Sequence, residues 1–475
     1  MLPIPLHIFR TQTANETYLL GPSYKETGMQ LVRAFEQGVQ YHIDVGTRND
    51  VVLLVSRDEK DESITDSSYL NLEYSLGETT VDFLPIEDDW GRNLVVLKTG
   101  YVMTDMDLFQ DFVVVYERST LDARQRIRLT ERLSSREEWI VPIPEADAYV
   151  AVLSPAGNMH YESDSVRFFL ESPAEPRKTY EYHVPSRRLS LLSKDRSGEA
   201  DIVQERTVVS SQDGTLVPLT LVYRKETQNS KATEALPAVL IGYGAYGQSV
   251  NLAFDPATRP LLDRGFLLAY AHTRGGGELG KSWHRRGRLY EKGRAVDDYL
   301  ACAEALTNYT LVDKPVRLAA RAFSAGGVIA GAAVNRRPDL FSAAALTNPF
   351  LDVEATLKNE SLHLTRHEWD EYGNPLDDAL AANTIASYCP VANANGGQHL
   401  PKFLLIGTMD DKEVPVWNPV VFGKKAREQA RGRPDTNVLL YIVGQGGHRL
   451  VGARSHVAAL EVAFILRSMN TASYS

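Results

Sequence analysis

Cysteine is nearly missing from this sequence: only Cys302 and Cys389 occur among 475 residues. Two isolated cysteines are too few for a disulfide framework, and they lack the clustered spacing of a zinc site. We therefore expect neither kind of cross-link, and a reducing, cytoplasmic setting fits this composition best.

An excess of basic residues and a long apolar run are also missing. The 51 Lys and Arg residues against 61 Asp and Glu residues give a net charge of −10, which argues against nucleic acid or an anionic membrane surface as the main partner. No apolar segment approaches the roughly 18 residues that a spanning helix needs, so no membrane span is expected. The opening MLPIPLHIFRTQ does not have the pattern of a secretory signal.

Helical periodicity is nearly absent from residues 1–196. Short β-like runs separated by turn-like clusters take its place, among them residues 51–56, 93–98, 112–118, 149–154 and 166–172. This recurrence predicts an all-β domain, for which both a sandwich and a propeller are candidates.

Residues 197–475 have a different texture, in which short apolar strands alternate with helices. A hairpin about Asp213-Gly214 comes first. The strands predicted after it cover residues 238–242, 266–272, 316–323, 342–347, 403–408 and 438–443, and the helices cover about 295–307, 325–334, 419–430 and 454–468. This alternation predicts an α/β domain with a mostly parallel, doubly wound sheet. In such sheets the reactive groups gather at the carboxyl ends of the strands.

The stretch Val316–Asn335 has one hydroxyl near its midpoint, Ser324, between a strand-like run and an Ala-rich helical run. A sharp strand-to-helix turn of this kind, a nucleophile elbow, needs small residues two positions before and after the nucleophile. These are Ala322 and Gly326. The usual motif has glycine at both positions, so this stretch alone is equally compatible with a buried structural serine.

A nucleophilic serine needs a base, and the base needs a carboxylate to orient it. In α/β-hydrolases the order along the chain is Ser, then Asp or Glu, then His. The strand at residues 403–408 is followed by an acidic loop that begins Met409-Asp410-Asp411, and the last strand is followed by a Gly-rich loop that ends in His448. An acidic loop is often only solvated and a lone His is often structural. The three residue types, in this order at three strand ends, favour a catalytic triad.

The intermediate of such a reaction also needs hydrogen-bond donors for its oxyanion. The backbone N–H of Ala325, directly after the serine, is one candidate. The second would come from the glycine-rich loop Gly242–Gly247, which could otherwise be a simple turn.

With these residues in place, the second domain resembles the prolyl oligopeptidase family, and most of all its oligopeptidase B and prolyl-endopeptidase-like branch. The matching stretches follow one another over nearly the whole domain: residues 242–247, 274–287, 323–341, 368–375, 410–419 and 446–448. The resemblance implies an α/β-hydrolase domain after an N-terminal β-propeller and a serine-type peptidase activity without a metal or cofactor. It places the nucleophile on Ser324, the acid on Asp411 and the base on His448, and it puts the hydroxyl of Tyr243 beside Ala325 in the oxyanion hole.

The resemblance also suggests a substrate class. In oligopeptidase B an acidic pair receives a basic side chain, and the matching positions here are Glu368 and Asp370; a carboxylate at either position could pair with Arg or Lys. The alternative is a solvated acidic turn that also includes Glu371. The prolyl-endopeptidase-like branch carries similar acids yet resembles an esterase or thioesterase, so a short peptide and a (thio)ester both remain candidate substrates.

Two departures from the family pattern keep further alternatives open. Prolyl oligopeptidases have an Arg two residues after the catalytic Asp, where this chain has Glu413, and a carboxylate cannot donate to a peptide carbonyl unless it is protonated. The family's propeller has seven blades, whereas about 195 residues would supply roughly four at about 40–45 residues each. We therefore expect a partial propeller from a truncated chain or gene model; the alternative is a propeller that closes in an unusual way. A catalytically weak binding or regulatory protein is the alternative to a serine oligopeptidase or a (thio)esterase.

Overall fold

The computed structural model describes residues 100–131, 137–143, 150, 152–194, 201–229, 235–308, 316–394, 400–431 and 437–469, and before residue 100 the backbone of seven strands. The chain divides into two compact units. The first comprises Met1–Ile143, Leu153–Leu170 and Lys178–Ser193, and the second comprises Pro144–Val152, Glu171–Arg177 and Lys194–Ser475. The domain boundary predicted after residue 196 stays a prediction.

The first unit consists of small sheets in which strands that follow one another along the chain lie side by side. Its strands are β1 (His7–Arg10), β2 (Glu16–Leu20), β3 (Gln30–Ala34), β4 (Val39–Val45), β5 (Val51–Arg57), β6 (Thr79–Leu84), β7 (Asn93–Val96), β8 (Tyr101–Leu108), β9 (Phe112–Ser119), β10 (Gln125–Glu131), β11 (Glu138–Ile140), β12 (Val152–Pro155), β13 (Ser165–Glu171), β14 (Lys178–His183) and β15 (Arg188–Lys194). Their sheet orders are β1-β2-β3, β4-β5-β6-β7, β11-β10-β9-β8 and β12-β13-β14-β15. Successive four-stranded meanders are typical of propeller blades.

These strands form where β-branched and aromatic residues alternate with polar ones. In β13 the side chains of Val166, Phe168 and Leu170 are buried, whereas Arg167 between them is exposed. A period of two places one apolar row on one face of the sheet. The strands predicted at residues 51–56, 112–118 and 166–172 are observed within a residue or two. Of those predicted at 93–98 and 149–154, residues 97, 98, 149 and 151 lie outside the described residues.

The second unit is built on one eight-stranded sheet with the order β16-β17-β19-β18-β20-β21-β22-β23. Its strands are β16 (Ile202–Ser210), β17 (Leu216–Arg224), β18 (Leu236–Gly242), β19 (Leu267–Ala271), β20 (Val316–Phe323), β21 (Phe341–Thr347), β22 (Lys402–Thr408) and β23 (Val438–Val443). The first two strands form the predicted hairpin, with Gly214 at φ +80° in its turn, and β18 to β23 pair in parallel.

Helices cover both faces of this sheet. They are α1 (Lys225–Asn229), α2 (Arg259–Leu262), α3 (Lys281–Arg285), α4 (Lys292–Thr307), α5 (Gly326–Arg336), α6 (Val353–Leu357), α7 (Thr365–Tyr372), α8 (Ala379–Tyr388), α9 (Trp417–Gln429) and α10 (Arg454–Ser468). One apolar core joins the sheet to α4, α5 and α9, and a second joins it to α2 and α10. No helix among the described residues combines the length and the apolar character needed to cross a membrane.

Alternate residues of the central strands enter the two cores. In β19, Leu267 and Ala269 belong to the first core, whereas Leu268 and Tyr270 belong to the second. A strand that is apolar on both faces is buried between helix layers. The predicted fold class, an α/β-hydrolase domain with an N-terminal all-β domain of the propeller type, is confirmed. Because β18 and β20 to β23 are parallel, their carboxyl ends lie at one edge of the sheet.

Candidate active site

Ser324 lies between the end of β20 and the start of α5, in a backbone conformation that a serine seldom adopts. Its φ angle is +54°, in the left-handed region, which costs a residue with a Cβ atom about 1–2 kcal/mol. Two backbone hydrogen bonds to the segment at the end of β21 hold this conformation. The Ser324 N–H donates to the carbonyl of Thr347 at 3.1 Å, and the Ser324 carbonyl accepts from the N–H of Phe350 at 2.9 Å. The strained turn projects the hydroxyl from the strand end, as the sequence motif predicts.

Gly326 explains why this elbow needs a small residue two positions after the serine. A Cβ atom at this position would lie 2.6 Å from the carbonyl oxygen of Gly242 and 3.5 Å from the Cα of Tyr243. The first distance is shorter than any normal contact. Glycine is therefore required for close approach between the elbow and the Gly242–Gly247 loop, whereas Ala322, on the other side of the serine, is accommodated as a buried residue.

Ser324, His448 and Asp411 form a continuous hydrogen-bonded row. Nε2 of His448 is 2.8 Å from Oγ of Ser324, and Nδ1 of His448 is 2.7 Å from Oδ2 of Asp411. All three side chains are almost completely buried. The other carboxylate oxygen of Asp411 accepts from the N–H groups of Glu413 and Val414, at 2.8 and 2.9 Å. These donors fix the carboxylate so that one oxygen faces the imidazole.

Asp410, the neighbouring acid, has a different position. Its carboxylate accepts from the N–H groups of Gly446 and Gly447, at 3.2 and 2.9 Å. These backbone donors lower the pKa of Asp410. The residue therefore connects the loop after β22 to the loop that carries His448.

Asn348 is a second residue that holds the histidine loop, and no sequence motif predicted it. Its Nδ2 donates to the carbonyl of His448 at 2.8 Å, and its Oδ1 accepts from the hydroxyl of Thr408 at 3.1 Å. It directly follows β21, so its place at a strand end was the available signal. Its φ of +41° gives it a turn conformation that asparagine tolerates.

Two groups could donate to an oxyanion beside Ser324. Ala325 immediately precedes α5, so its N–H belongs to the N-terminal amides that no carbonyl of the helix can accept. Tyr243 lines the same pocket as Ser324. Burial raises the pKa of Tyr243 to about 12, although a hydrogen bond with Ser324 acts in the opposite direction. Its phenol therefore remains a protonated donor at neutral pH.

The pocket in front of Ser324 combines aromatic and acidic side chains. Its lining consists of Tyr243, Tyr246, Gln248, Ser324, Ala325, Phe350, Thr356, Leu362, Leu364, Thr365, Glu368, Lys412, Glu413, Val414 and Pro415. Oε2 of Glu413 lies 3.7 Å from Nε2 of His448. The residue noted as a departure from the family pattern therefore faces the reacting groups.

The two acids predicted to bind substrate do not share one environment. Glu368 lines the pocket and accepts a hydrogen bond from the hydroxyl of Tyr246 at 2.8 Å. Burial raises the pKa of Glu368, and the Tyr246 hydroxyl opposes this. Asp370 is exposed and outside the lining residues, because helix positions two apart do not face the same side. Its role in substrate binding stays a prediction. Glu371 is buried, so these acids do not form one solvated turn.

This arrangement has the groups that acyl transfer would need: a hydroxyl, an imidazole in contact with it, a carboxylate that orients the imidazole, and two possible donors to an oxyanion. Within the described part of the chain, no three His, Cys, Asp or Glu side chains come together as metal ligands.

Comparison with known proteins points to one family. Residues 252–472 match the family model described as the prolyl oligopeptidase family. The protein named prolyl endopeptidase-like from Xenopus laevis is 37% identical over 288 residues, which are 60% of this chain and 40% of that protein. Its Homo sapiens namesake is 31% identical over 417 residues, 85% of this chain and 54% of that protein. The chain thus spans about half the length of these curated relatives.

The fold also matches solved structures of the same kind. Oligopeptidase B from Trypanosoma brucei, solved with covalently bound antipain in a closed form, superposes with a TM-score of 0.81 at 25% identity. The match covers 99% of this chain and 66% of that one. The similarity therefore extends over both units of the chain described above.

Proposed function

Since this chain belongs to the prolyl oligopeptidase family, we propose that it is a serine-type oligopeptidase that cleaves short peptides after basic residues. The observation that carries the proposal is the row Ser324, His448 and Asp411 with hydrogen bonds of 2.8 and 2.7 Å, opening on a pocket that contains Glu368. As part of the same proposal we place the protein in a reducing, cytoplasmic setting, because Cys302 and Cys389 are free thiols and not a disulfide.

The proposed reaction begins with attack by Oγ of Ser324 on the scissile carbonyl carbon. Nε2 of His448 accepts the serine proton, and Asp411 holds the Nδ1–H and stabilises the imidazolium. The imidazolium then protonates the departing amine, which leaves an acyl group on Ser324. A water molecule, activated by the same imidazole, hydrolyses this ester and restores the serine.

The negative charge that develops on the carbonyl oxygen would be met by the N–H of Ala325 and the hydroxyl of Tyr243. Each such donor contributes on the order of 3 kcal/mol to the transition state. The protonated state of Tyr243 at neutral pH supports this role, because a phenolate would repel the oxyanion.

Glu368 supports the preference for a basic residue. Its side chain is half-buried and lies in the pocket that contains the nucleophile, so a guanidinium or ammonium group could pair with it partly shielded from bulk water. A charge-assisted hydrogen bond of this kind contributes about 1.5–3 kcal/mol. Asp370 could add a longer-range attraction from the exposed side of the helix.

Glu413 favours a second candidate, a (thio)esterase that uses the same triad. Its carboxylate, 3.7 Å from Nε2 of His448, occupies the region next to the scissile bond, and an ionised carboxylate offers no donor to a peptide carbonyl. Esters and thioesters have better leaving groups than amides, so they depend less on such anchoring.

A fluorophosphonate probe and three substrates test the proposal: a peptide amide with Arg or Lys before the bond, a proline amide and a short-chain thioester. We expect the probe to label the protein, Ser324→Ala to abolish labelling, and the basic amide to have the highest kcat/KM. Labelling that survives Ser324→Ala would refute the assigned nucleophile. Turnover of the thioester alone would favour the (thio)esterase, and no labelling or turnover would favour a binding protein.

Substitution of Glu368 tests the substrate preference separately. Glu368→Gln should reduce kcat/KM for the basic amide by roughly 10- to 100-fold and leave the thioester reaction nearly unchanged. The matched control is Glu354→Gln, which removes a helix-surface ion pair with Lys358 outside the pocket. An equal loss on both substrates in Glu368→Gln would mean that the residue maintains the site and does not select a basic side chain.

A further inference from the structure

Lys292, the first residue of α4, is a completely buried cation that the proposed reaction does not use. Its side chain has 0% exposure. Nζ donates to Oε1 of Glu371 at 2.6 Å and to the carbonyl oxygen of Gly244 at 2.9 Å, and it lies 4.8 Å from the ring centre of Tyr372. A buried ammonium group is costly unless it is paired and hydrogen-bonded, and here each contact is with α7 or with the Gly242–Gly247 loop.

The Gly242–Gly247 loop needs anchors of this kind. Gly244 and Tyr246 have φ angles of +64° and +58°, so neither a helix nor a strand supplies its backbone hydrogen bonds. The Gly244 carbonyl is enclosed on its other side, because a Cβ atom on Gly275 would lie only 2.3 Å from it. A buried carbonyl without a donor costs free energy. The ammonium group of Lys292 donates the hydrogen bond that this carbonyl needs, and Gly244 is the residue directly after Tyr243.

Glu371 supports the position of Lys292. Its second carboxylate oxygen is 2.7 Å from Nε2 of His284. Burial alone would raise the pKa of Glu371, but the Lys292 charge and the contact with His284 overcome this effect and lower it. The buried pair thus joins α4 and α7 behind the loop.

We propose that Lys292 is a positioning residue that sets the place of the Tyr243 hydroxyl in the oxyanion hole by holding the Gly244 carbonyl. This inference rests on the proposed function, because it assigns Tyr243 as a donor in acyl transfer. If Lys292 and Glu371 had only a structural role, the prediction would differ. The kcat of each variant would then rise and fall with its melting temperature, whether or not a donor to the Gly244 carbonyl remained.

The first test compares Lys292→Met with the double variant Lys292→Met/Glu371→Gln. The single change leaves a buried acid without its cation, whereas the double change removes both charges and should recover most of the melting temperature. We expect kcat to fall about 10- to 100-fold in both variants, because a displacement of an ångström or less at a catalytic group can have this effect. KM should change by less than about threefold, since the substrate pocket is retained.

The second test is a double-mutant cycle with Tyr243→Phe. If Lys292 acts through the Tyr243 hydroxyl, Lys292→Met should lower kcat by less than about threefold in the Tyr243→Phe background. Leu306→Ala is the matched control: this buried residue lies at the other end of α4, about 20 Å along the helix axis. It should lower the melting temperature and leave kcat unchanged.

These measurements distinguish a failure of the role proposed for Lys292 from a failure of the proposed function. Recovery of kcat together with stability in the double variant, or a full additional loss in the Tyr243→Phe background, would overturn the role of Lys292 while the proposed reaction stands. A wild-type protein that neither reacts with a fluorophosphonate nor turns over any of the three substrates would overturn both.

Discussion

Replacing Gly326 with alanine adds one methyl group at the contact between the nucleophile elbow and the Gly242–Gly247 loop. The new Cβ atom would lie 2.6 Å from the Gly242 carbonyl oxygen and 3.5 Å from the Cα of Tyr243. A carbon and an oxygen need about 3.3 Å, so the backbone would have to separate by about 0.7 Å. The carbonyl belongs to the residue before Tyr243, so the separation moves the phenol away from Ser324.

The displacement sets the expected size of the effect. A shift approaching 1 Å at a catalytic group can reduce the rate about 100-fold, which corresponds to about 2.7 kcal/mol of activation free energy. We expect Gly326→Ala to reduce kcat by about 10- to 100-fold with little change in KM. Single-turnover kinetics with the substrate panel would show whether the loss lies in the acylation step.

Gly293→Ala is the matched control, because Gly293 is also in the first turn of a helix and a Cβ atom there meets nothing within 4 Å. Alanine should stabilise α4 by up to about 1 kcal/mol at this position and leave kcat as it is. An active Gly326→Ala variant with wild-type kcat would show that the elbow and the loop relax without cost. The geometric account of this glycine would then be wrong.

Three further changes test other parts of the site. Asp411→Asn should reduce kcat by about 10⁴-fold, because the amide stabilises the wrong tautomer of His448; a loss below tenfold in steady-state assays would contradict the orienting role. Tyr243→Phe should reduce kcat by about 10²- to 10³-fold without weakening substrate binding, and a change confined to KM would argue against an oxyanion contact. Because burial raises the pKa of Glu368, its negative charge is lost as the pH falls through a value above the usual carboxyl pKa of about 4.3. The ratio of kcat/KM for a basic amide to that for a neutral substrate should therefore decline towards low pH, whereas this ratio should not vary with pH in Glu368→Gln.

The amino-acid sequence predicted the sheet architecture because each central strand is a short apolar run. It also predicted the four longest helices, α4, α5, α9 and α10, but not the shorter helices α1, α2, α3, α6, α7 and α8. The helix predicted at residues 419–430 is observed at Trp417–Gln429, a difference of the size expected at frayed helix ends. The sequence also predicted that Ser324, the acidic loop and His448 would lie close together. In a parallel sheet, chain order places all three at the carboxyl ends of strands.

Long-range packing decided what the sequence pattern left open. The residue pattern alone did not choose between Asp410 and Asp411 in the acidic loop, and the family resemblance favoured Asp411. In the structure, Asp411 lies 2.7 Å from Nδ1 of His448, whereas Asp410 binds two backbone amides. Likewise, Glu368 and Asp370 are both acids at positions that match the acidic pair of the family, and the sequence does not distinguish them. The orientation of α7 about its axis places Glu368 in the pocket and leaves Asp370 exposed.

The sequence by itself determined the strands of the sheet, its four longest helices and the residue types that reach the strand ends, because these depend on local periodicity and chain order. Only the tertiary structure decided which of Glu368 and Asp370 enters the pocket and why Gly326 has no room for a methyl group. It alone showed that Lys292 lies buried against the Gly244 carbonyl. The two residues are 48 positions apart, and no local pattern records a contact that forms only when the sheet, α4 and α7 pack together.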